Sequence, residues 1–202
     1  MLDHMNYQEM MEKTLAALGE TKPRLLLHAC CAPCASRPLE LLSDRLDITV
    51  YYYNPNIMPL EEYEKRLGEF EKLRRYPFRL IAAPWDNAAF LAAVRGREAD
   101  PEGGRRCSLC FRLRLGAAAR RAKEGGFDFF TTTLTVSPHK NAEVINTIGA
   151  ELGEQWGVPW LCSDFKKKEG YKRSIELCRE LGIYRQNYCG CRLNQITSDL
   201  RL

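Results

Sequence analysis

The chain has 202 residues, of which 45% are hydrophobic and 28% charged; these are ordinary values for a globular domain and argue against a disordered or fibrous protein. Thirty Lys and Arg residues against 26 Asp and Glu residues give a net charge of +4, which permits a polyanionic partner without requiring one. No apolar run approaches the roughly 20 residues that span a bilayer, and residues 1–11 lack the apolar region of a secretory signal. We therefore expect a cytoplasmic protein with reduced thiols and no membrane partner.

Short apolar runs alternate with amphipathic segments along the chain. The apolar runs predict strands at 24–29, 48–53, 78–82, 127–133 and 160–162. Helical spacing predicts helices at 5–19, 34–46, 60–75, 84–94, 109–124, 140–156 and 171–181, with a last helix from about residue 193 and a loop at 95–106. Such alternation predicts a single α/β domain over 1–202, a parallel sheet with helices on both faces. Residues 1–22 form an N-terminal helical extension in this prediction, and 192–202 form a C-terminal helix.

Polar residues and cysteines follow the predicted strands directly. Ligands of open parallel sheets bind beyond the carboxyl ends of the strands, so these segments are where chemistry is expected. They are Cys30 to Cys34, Tyr53 to Asn56, Thr131 to His139 and Asp164 to Lys167.

Nine cysteines are many for a chain expected to stay reduced, and seven of them fall in three tight groups: Cys30/Cys31/Cys34, Cys107/Cys110 and Cys189/Cys191. In a reducing compartment such enrichment indicates metal binding or redox chemistry. Adjacent cysteines converge poorly on one tetrahedral zinc ion but can bind different irons of a cluster, so the first two groups favour an iron–sulfur cluster. Zinc, and cysteines that are simply buried, remain open alternatives.

The pair Cys189 and Cys191 has a glycine between its members, which permits a small, easily reduced disulfide ring. Such a pair stores two electrons, although both residues are also available as further metal ligands. Cys162 and Cys178 stand alone and are interpreted as packing residues.

Several motifs in order from residue 28 to 191 make the sequence similar to one known family. They are His28-Ala-Cys-Cys-Ala-Pro-Cys34, Tyr53-Asn-Pro-Asn-Ile57, Arg106-Cys107 with Cys110 and Arg112-Leu113, Thr131-Thr-Thr-Leu134, Ser137-Pro138, Asp164-Phe-Lys-Lys167 and Tyr184-Arg-Gln-Asn-Tyr-Cys-Gly-Cys191. The pattern resembles the epoxyqueuosine reductase family QueH, a cobalamin-independent iron–sulfur group.

The resemblance implies reduction of epoxyqueuosine to queuosine at the wobble base of tRNA, the last step of queuosine biosynthesis, with an external electron donor. It implies a [4Fe–4S] cluster held by Cys30, Cys31, Cys107 and Cys110. It also implies a redox-active Cys189/Cys191 pair and an additional single iron ion, for which Cys34 is an available ligand. The implied fold resembles the adenine-nucleotide alpha-hydrolases, a Rossmann-like architecture. The first loop lacks their Ser-Gly-Gly-x-Asp-Ser pyrophosphate loop, so ATP use is not expected.

Conversion of an epoxide to an alkene needs two electrons and two protons, and a proton donor must reach the departing oxygen. Asp164 and His139 are acid candidates by position, whereas His28 is interpreted as a structural histidine. Candidate substrate-binding residues are Tyr53, Asn54, Asn56, Arg112, Lys166 and Lys167. Residues proposed for the wider RNA surface are the basic groups Arg105/Arg106/Arg112/Arg114, Arg120/Arg121/Lys123 and Lys166/Lys167/Lys168/Lys172/Arg173, with Tyr51, Tyr52, Tyr53 and Trp85 for stacking.

Two other functions fit the cysteine pattern. One is a zinc-stabilised RNA-binding module without catalysis, which would hold zinc and no sulfide. The other is a cluster-dependent tRNA thiolation enzyme, which would need ATP and for which the missing pyrophosphate loop is unfavourable.

Overall fold

A computed structural model describes residues 5–193 and contains four strands and seven complete α-helices within them. The strands are Arg24–His28 (β1), Asp47–Tyr52 (β2), Arg79–Ala82 (β3) and Phe129–Thr132 (β4). The helices are Tyr7–Ala16 (α1), Ala32–Leu42 (α2), Leu60–Gly68 (α3), Asn87–Ala93 (α4), Arg105–Glu124 (α5), Ala142–Trp156 (α6) and Gly170–Glu180 (α7), with 3₁₀ turns at Glu69–Leu73 and Thr133–Val136. The predicted α/β alternation is confirmed.

The four strands form one parallel sheet in the order β3-β2-β1-β4. Leu25 of β1 pairs with Ile48 of β2 on one side and with Phe129 of β4 on the other. Chain order therefore reverses at β1, which has β2 on one side and β4 on the other. That point is where open parallel sheets form a ligand crevice.

Successive residues of β1 face opposite sides of the sheet, and both sides are covered. Leu25 and Leu27 belong to a core that also contains Met11 of α1 and Leu39 of α2. Leu26 belongs to a second core with buried residues of α5 and α6, such as Leu115 and Ile145. Helices on both faces explain why β1 is a continuous apolar run and confirm the Rossmann-like architecture expected from the sequence.

Some predicted boundaries were wrong, and two of the differences move cysteines. Helix α2 begins at Ala32 instead of residue 34, and α5 begins at Arg105 instead of residue 109. The predicted helix at 60–75 divides into α3 and a 3₁₀ turn. The predicted fifth strand is reduced to one isolated bridge between Phe130 and Trp160.

The two ends of the chain follow the prediction only in part. Within the predicted extension 1–22, residues 7–16 form α1, whose Met11 and Leu15 are buried in the core. The predicted C-terminal helix at 192–202 lies almost entirely outside the described residues. Among the described helices, none combines the length and apolar character needed to cross a membrane.

Candidate functional site

Three cysteines converge at the turn that follows β1. The Sγ atoms of Cys30, Cys31 and Cys34 all lie within 4.8 Å of one another. Those of Cys30 and Cys31 are 3.7 Å apart. Because α2 begins at Ala32, Cys31 is the residue that caps it and Cys34 lies in its first turn. The three thiols therefore share one helix N-terminus, where the helix dipole favours negative charge.

The turn is fixed by hydrogen bonds to neighbouring strands and their loops. The Ala29 N–H donates to the Tyr51 carbonyl at 3.0 Å, and the Cys30 N–H donates to Thr133 Oγ1 at 3.2 Å. Asn54 Nδ2 donates to the Ala29 carbonyl at 2.9 Å. These bonds come from both sides of β1, so the position of the cysteine group depends on the strand order.

Hydrogen bonds among the three thiols give them different pKa values. Donation from Cys31 and Cys34 holds the pKa of Cys30 well below its usual range. The same hydrogen bond to Cys30 raises the pKa of Cys31 to about 12, and the pKa of Cys34 is raised for the same reason. Among the three, Cys30 is therefore favoured as the thiolate.

A second cysteine group lies where α5 meets the segment of residues 184–192. Cys107, Cys110, Cys189 and Cys191 line one small cavity of about 30 Å³. The Gly103 N–H donates to Cys107 Sγ at 3.2 Å, and burial raises the pKa of Cys110 to about 11. The start of α5 at Arg105 places Cys107 and Cys110 one turn apart on the same helix.

Cys189 and Cys191 are free thiols in this structure. Donation from the Cys191 thiol lowers the pKa of Cys189 to about 6, with further help from the charges of Lys140 and Arg114. The same hydrogen bond raises the pKa of Cys191. A dithiol with one acidic member is the arrangement from which thiolate attack begins.

A larger cavity of about 570 Å³ adjoins the small one. Cys30 and Cys34 line it, and Cys189 lines both cavities. Glu102, Arg114, His139 and Lys140 also line both. The three cysteine groups therefore surround one connected space at the carboxyl edge of the sheet, as the sequence predicts for strand-end segments.

Two cations balance the sulfur charges. Arg114 approaches Cys110 Sγ at 3.9 Å and also donates to Asn54 Oδ1. Burial by itself lowers the pKa of Lys140. The negative charges of Cys189, Cys30 and Cys34 have the larger effect, and the pKa of Lys140 is raised. Buried thiolates next to such cations are stabilised.

The donor set fits a soft metal or an iron–sulfur cluster, because soft thiolates bind both. A zinc–sulfur bond of about 2.3 Å places two sulfurs of a tetrahedral ion about 3.8 Å apart, close to the 3.7 Å between Cys30 and Cys31. The convergence of adjacent cysteines is thus compatible with a single ion, contrary to the expectation from the sequence. Cys107 and Cys110 line the adjoining small cavity and do not belong to the close group of Cys30, Cys31 and Cys34.

The predicted substrate-binding and acid residues divide into two sets. Asn54 and Asn56 are buried in the wall of the large cavity, and His139, which is exposed, also lines it. The others are absent from the walls of both cysteine cavities among the described residues. Tyr53 stacks on Tyr51 at a ring distance of 6.0 Å, Arg112 pairs with Glu151 on the surface, and Asp164, Lys166 and Lys167 line a separate groove.

The expectation that Arg106 and Arg114 contact phosphate on the surface was wrong. They are only 1% and 2% exposed, because both project from α5 into the protein. Arg114 and Lys140 are functional candidates whose role in the site the sequence analysis missed. The one available signal was that Arg114 follows Cys110 by four residues, which places both on one face of a helix.

Of the other expected roles, that of Tyr52 changed and those of His28 and Cys178 did not. Tyr52, considered for base stacking, is fully buried, and its hydroxyl donates to the Tyr63 carbonyl at 2.9 Å. His28 is structural as predicted, with its ring nitrogens 2.8 Å from Thr132 Oγ1 and 3.1 Å from the Tyr53 carbonyl oxygen. Cys178 is a core residue as predicted.

Comparison with known proteins identifies the family. A family profile described as "Epoxyqueuosine reductase QueH" matches residues 25–196. A protein of that name from Streptococcus pyogenes serotype M1 is 42% identical over 93% of this chain and 77% of its own. Those from Staphylococcus epidermidis and Thermotoga maritima are 40% and 37% identical, over 93% and 83% of this chain and 83% and 88% of their own. By profile and by identity, this chain belongs to the epoxyqueuosine reductase QueH family.

Proposed function

We propose that this chain reduces epoxyqueuosine to queuosine at the wobble position of tRNA, without cobalamin. The observation that carries the proposal is the arrangement of six cysteines around two adjoining cavities, with Cys31 directly beside Cys30, in a member of this family. The metal ligands in the proposal are Cys30, Cys31, Cys107 and Cys110 for a [4Fe–4S] cluster, with Cys34 available to an additional single iron ion. When bound, these groups supply electron transfer and a Lewis acid for the epoxide oxygen.

Cys189 and Cys191 supply the electron pair in this proposal. Reduction of the epoxide breaks two C–O bonds, forms the C=C bond and releases the oxygen as water. Oxidation of the dithiol forms one S–S bond and releases the two electrons and two protons that the reduction consumes. An external electron donor then restores both thiols. Support comes from the position of Cys189 in the walls of both cavities and from its lowered pKa.

A proton donor to the departing oxygen must lie beside the same cavity. His139 lines both cavities and is the better placed of the two acid candidates from the sequence. Asp164 is engaged with Lys166 in the neighbouring groove, so its participation requires a substrate that extends there. Glu102, which also lines both cavities, is an added candidate.

Contacts to the rest of the tRNA come in this proposal from two groups of basic residues on the surface. Lys166, Lys167 and Lys168 line the groove that adjoins His139 and Lys140. Arg120, Arg121 and Lys123 are exposed on α5. Such residues give affinity for phosphates that falls with salt concentration.

The test is turnover of tRNA that bears epoxyqueuosine by anaerobically purified protein with dithionite or another low-potential donor. We expect queuosine in the nuclease digest, and iron and acid-labile sulfide in the protein. A colourless protein with one zinc, no sulfide and no turnover would support the zinc-stabilised RNA-binding module instead. Turnover that requires ATP and inserts sulfur would support the thiolation enzyme.

A further inference from the structure

Several buried polar atoms without hydrogen-bond partners belong to residues that line the large cavity. Among the described residues, buried side-chain atoms without a hydrogen-bond partner include Asn56 Oδ1, Arg66 Nη2, Arg114 Nε and Gln186 Oε1. All four belong to residues that line this one cavity. An unpartnered buried polar group costs about 1–3 kcal/mol, so a group of them around one space indicates a wall that is completed by a ligand.

Three of these residues come from separate parts of the chain. Asn56 follows β2, Arg66 lies on α3, and Gln186 lies in segment 184–192. Gln186 Nε2 donates to Cys31 Sγ at 3.0 Å, which places this wall directly against the first cysteine group. A ligand that satisfies the wall would therefore lie beside the cysteines.

The unpartnered donors and acceptors in the wall favour a hydroxylated ligand. Arg66 Nε donates to Glu62 Oε1 at 2.7 Å, and the ion pair is almost fully buried. The Arg66 charge is thereby compensated, whereas Arg114, Lys140 and Arg185 add positive charge elsewhere in the same wall. The wall offers two acceptors, on Asn56 and Gln186, and one N–H donor on Arg66. Hydroxyl groups, which both donate and accept, fit such a set.

We infer that Asn56, Arg66 and Gln186 determine specificity by hydrogen bonding to the hydroxyl groups of a neutral, hydroxylated ring on the substrate. The inference rests on the proposed function, in which the hydroxylated ring of epoxyqueuosine enters this cavity. It assigns recognition of the ring to residues that supply neither electrons nor metal ligands. Binding of the tRNA backbone is assigned to other residues, the basic groups named above.

The test measures binding of two tRNAs that differ only at the wobble base, one with queuosine and one with guanine. Queuosine keeps the hydroxylated ring but has no epoxide, so binding is measured without turnover. We expect the wild-type protein to prefer the queuosine tRNA. In Asn56→Leu the preference should fall about tenfold, since one buried hydrogen bond is lost. Affinity for the guanine tRNA should stay within about twofold, because phosphate contacts are unchanged.

Gln186→Leu provides a second variant in case Asn56→Leu does not fold, as judged by circular dichroism. The matched control is Gln155→Leu on the exposed surface of α6, which should leave the preference unchanged. An undiminished preference in both folded wall variants, or no preference in the wild type, would overturn the inference. Failure of the proposed function has a different signature, which is absence of queuosine formation by the wild-type protein.

Discussion

The two cysteine-bearing regions of this site are held in place in different ways. The turn with Cys30 is fixed by a main-chain hydrogen bond to β2 and by the side chains of Asn54 and Thr133, which follow β2 and β4. Segment 184–192 has no regular secondary structure, and its contacts are scattered: the Met58 N–H donates to the Gly190 carbonyl at 3.0 Å, and Gln186 contacts Cys31.

This difference matches the chemistry proposed for each region. Metal ligands need fixed positions, which a strand-to-helix turn on a parallel sheet supplies. A dithiol that alternates between thiol and disulfide must change its S–S separation and meet a second reductant. A segment whose main chain is not paired in a strand or helix can do this at a lower energetic cost than a strand end.

The largest expected effect separates the two regions by function. Cys189→Ser should abolish turnover of epoxyqueuosine tRNA while the iron content and visible absorbance stay at wild-type levels, because only the dithiol is lost. Cys30→Ser should lower both iron content and turnover. Iron analysis, absorbance and product analysis by mass spectrometry measure these effects.

The matched control is Cys162→Ala, since Cys162 lines neither cysteine cavity and should leave both quantities unchanged. Loss of iron in Cys189→Ser would mean that Cys189 is a metal ligand and that the proposed division of roles is incorrect.

A smaller effect tests the rigidity of the turn after β1. Asn54→Ala removes the donor to the Ala29 carbonyl and the acceptor for buried Arg114. We expect the free energy of unfolding to fall by about 2 kcal/mol, since a buried carbonyl and a buried guanidinium each lose a partner. Denaturant titration measures it. Asn187→Ala, at an exposed position in segment 184–192, should change stability by less than about 0.5 kcal/mol. Equal effects would remove the distinction between the regions.

The smallest effect concerns the backbone of the second region. Gly190 has a φ of 80°, and an added Cβ would lie 3.1 Å from both Ile57 Cγ1 and Arg66 Nη1. Gly182 has a φ of 61° with no atom within 4 Å of an added Cβ. Replacement of either by Ala costs about 1 kcal/mol for the left-handed backbone. Crowding should add about 1 kcal/mol only in Gly190→Ala.

Thermal unfolding of the two glycine variants measures that difference. Tryptic cleavage after Arg192, an exposed residue next to the pair, should also be faster in Gly190→Ala than in Gly182→Ala. Indistinguishable variants would show that segment 184–192 packs less closely against α3 than the structure indicates.

Local patterns were sufficient for the fold class and for the cysteine groups. The apolar run at Arg24–His28 indicated a strand buried on both faces, and the cysteines that follow it lie at the sheet edge as predicted. The motifs from residue 28 to 191 also identified the family correctly. These features are encoded in residues close together in sequence, so periodicity and spacing reveal them.

Tertiary structure alone decided which side chains share the cavity. Thr133 contacts Cys30 across 103 positions because β4 pairs with β1, and Asn54 meets Arg114 across 60 positions because α5 packs over the sheet. The sequence predicted a surface position for Arg114, which is buried in the structure. Asp164 and Lys166 line a groove other than the two cysteine cavities. The order of the strands and the rotation of each helix about its axis decide which side chains meet. Both depend on how whole faces of the helices and the sheet are buried, and no local pattern in the sequence specifies them.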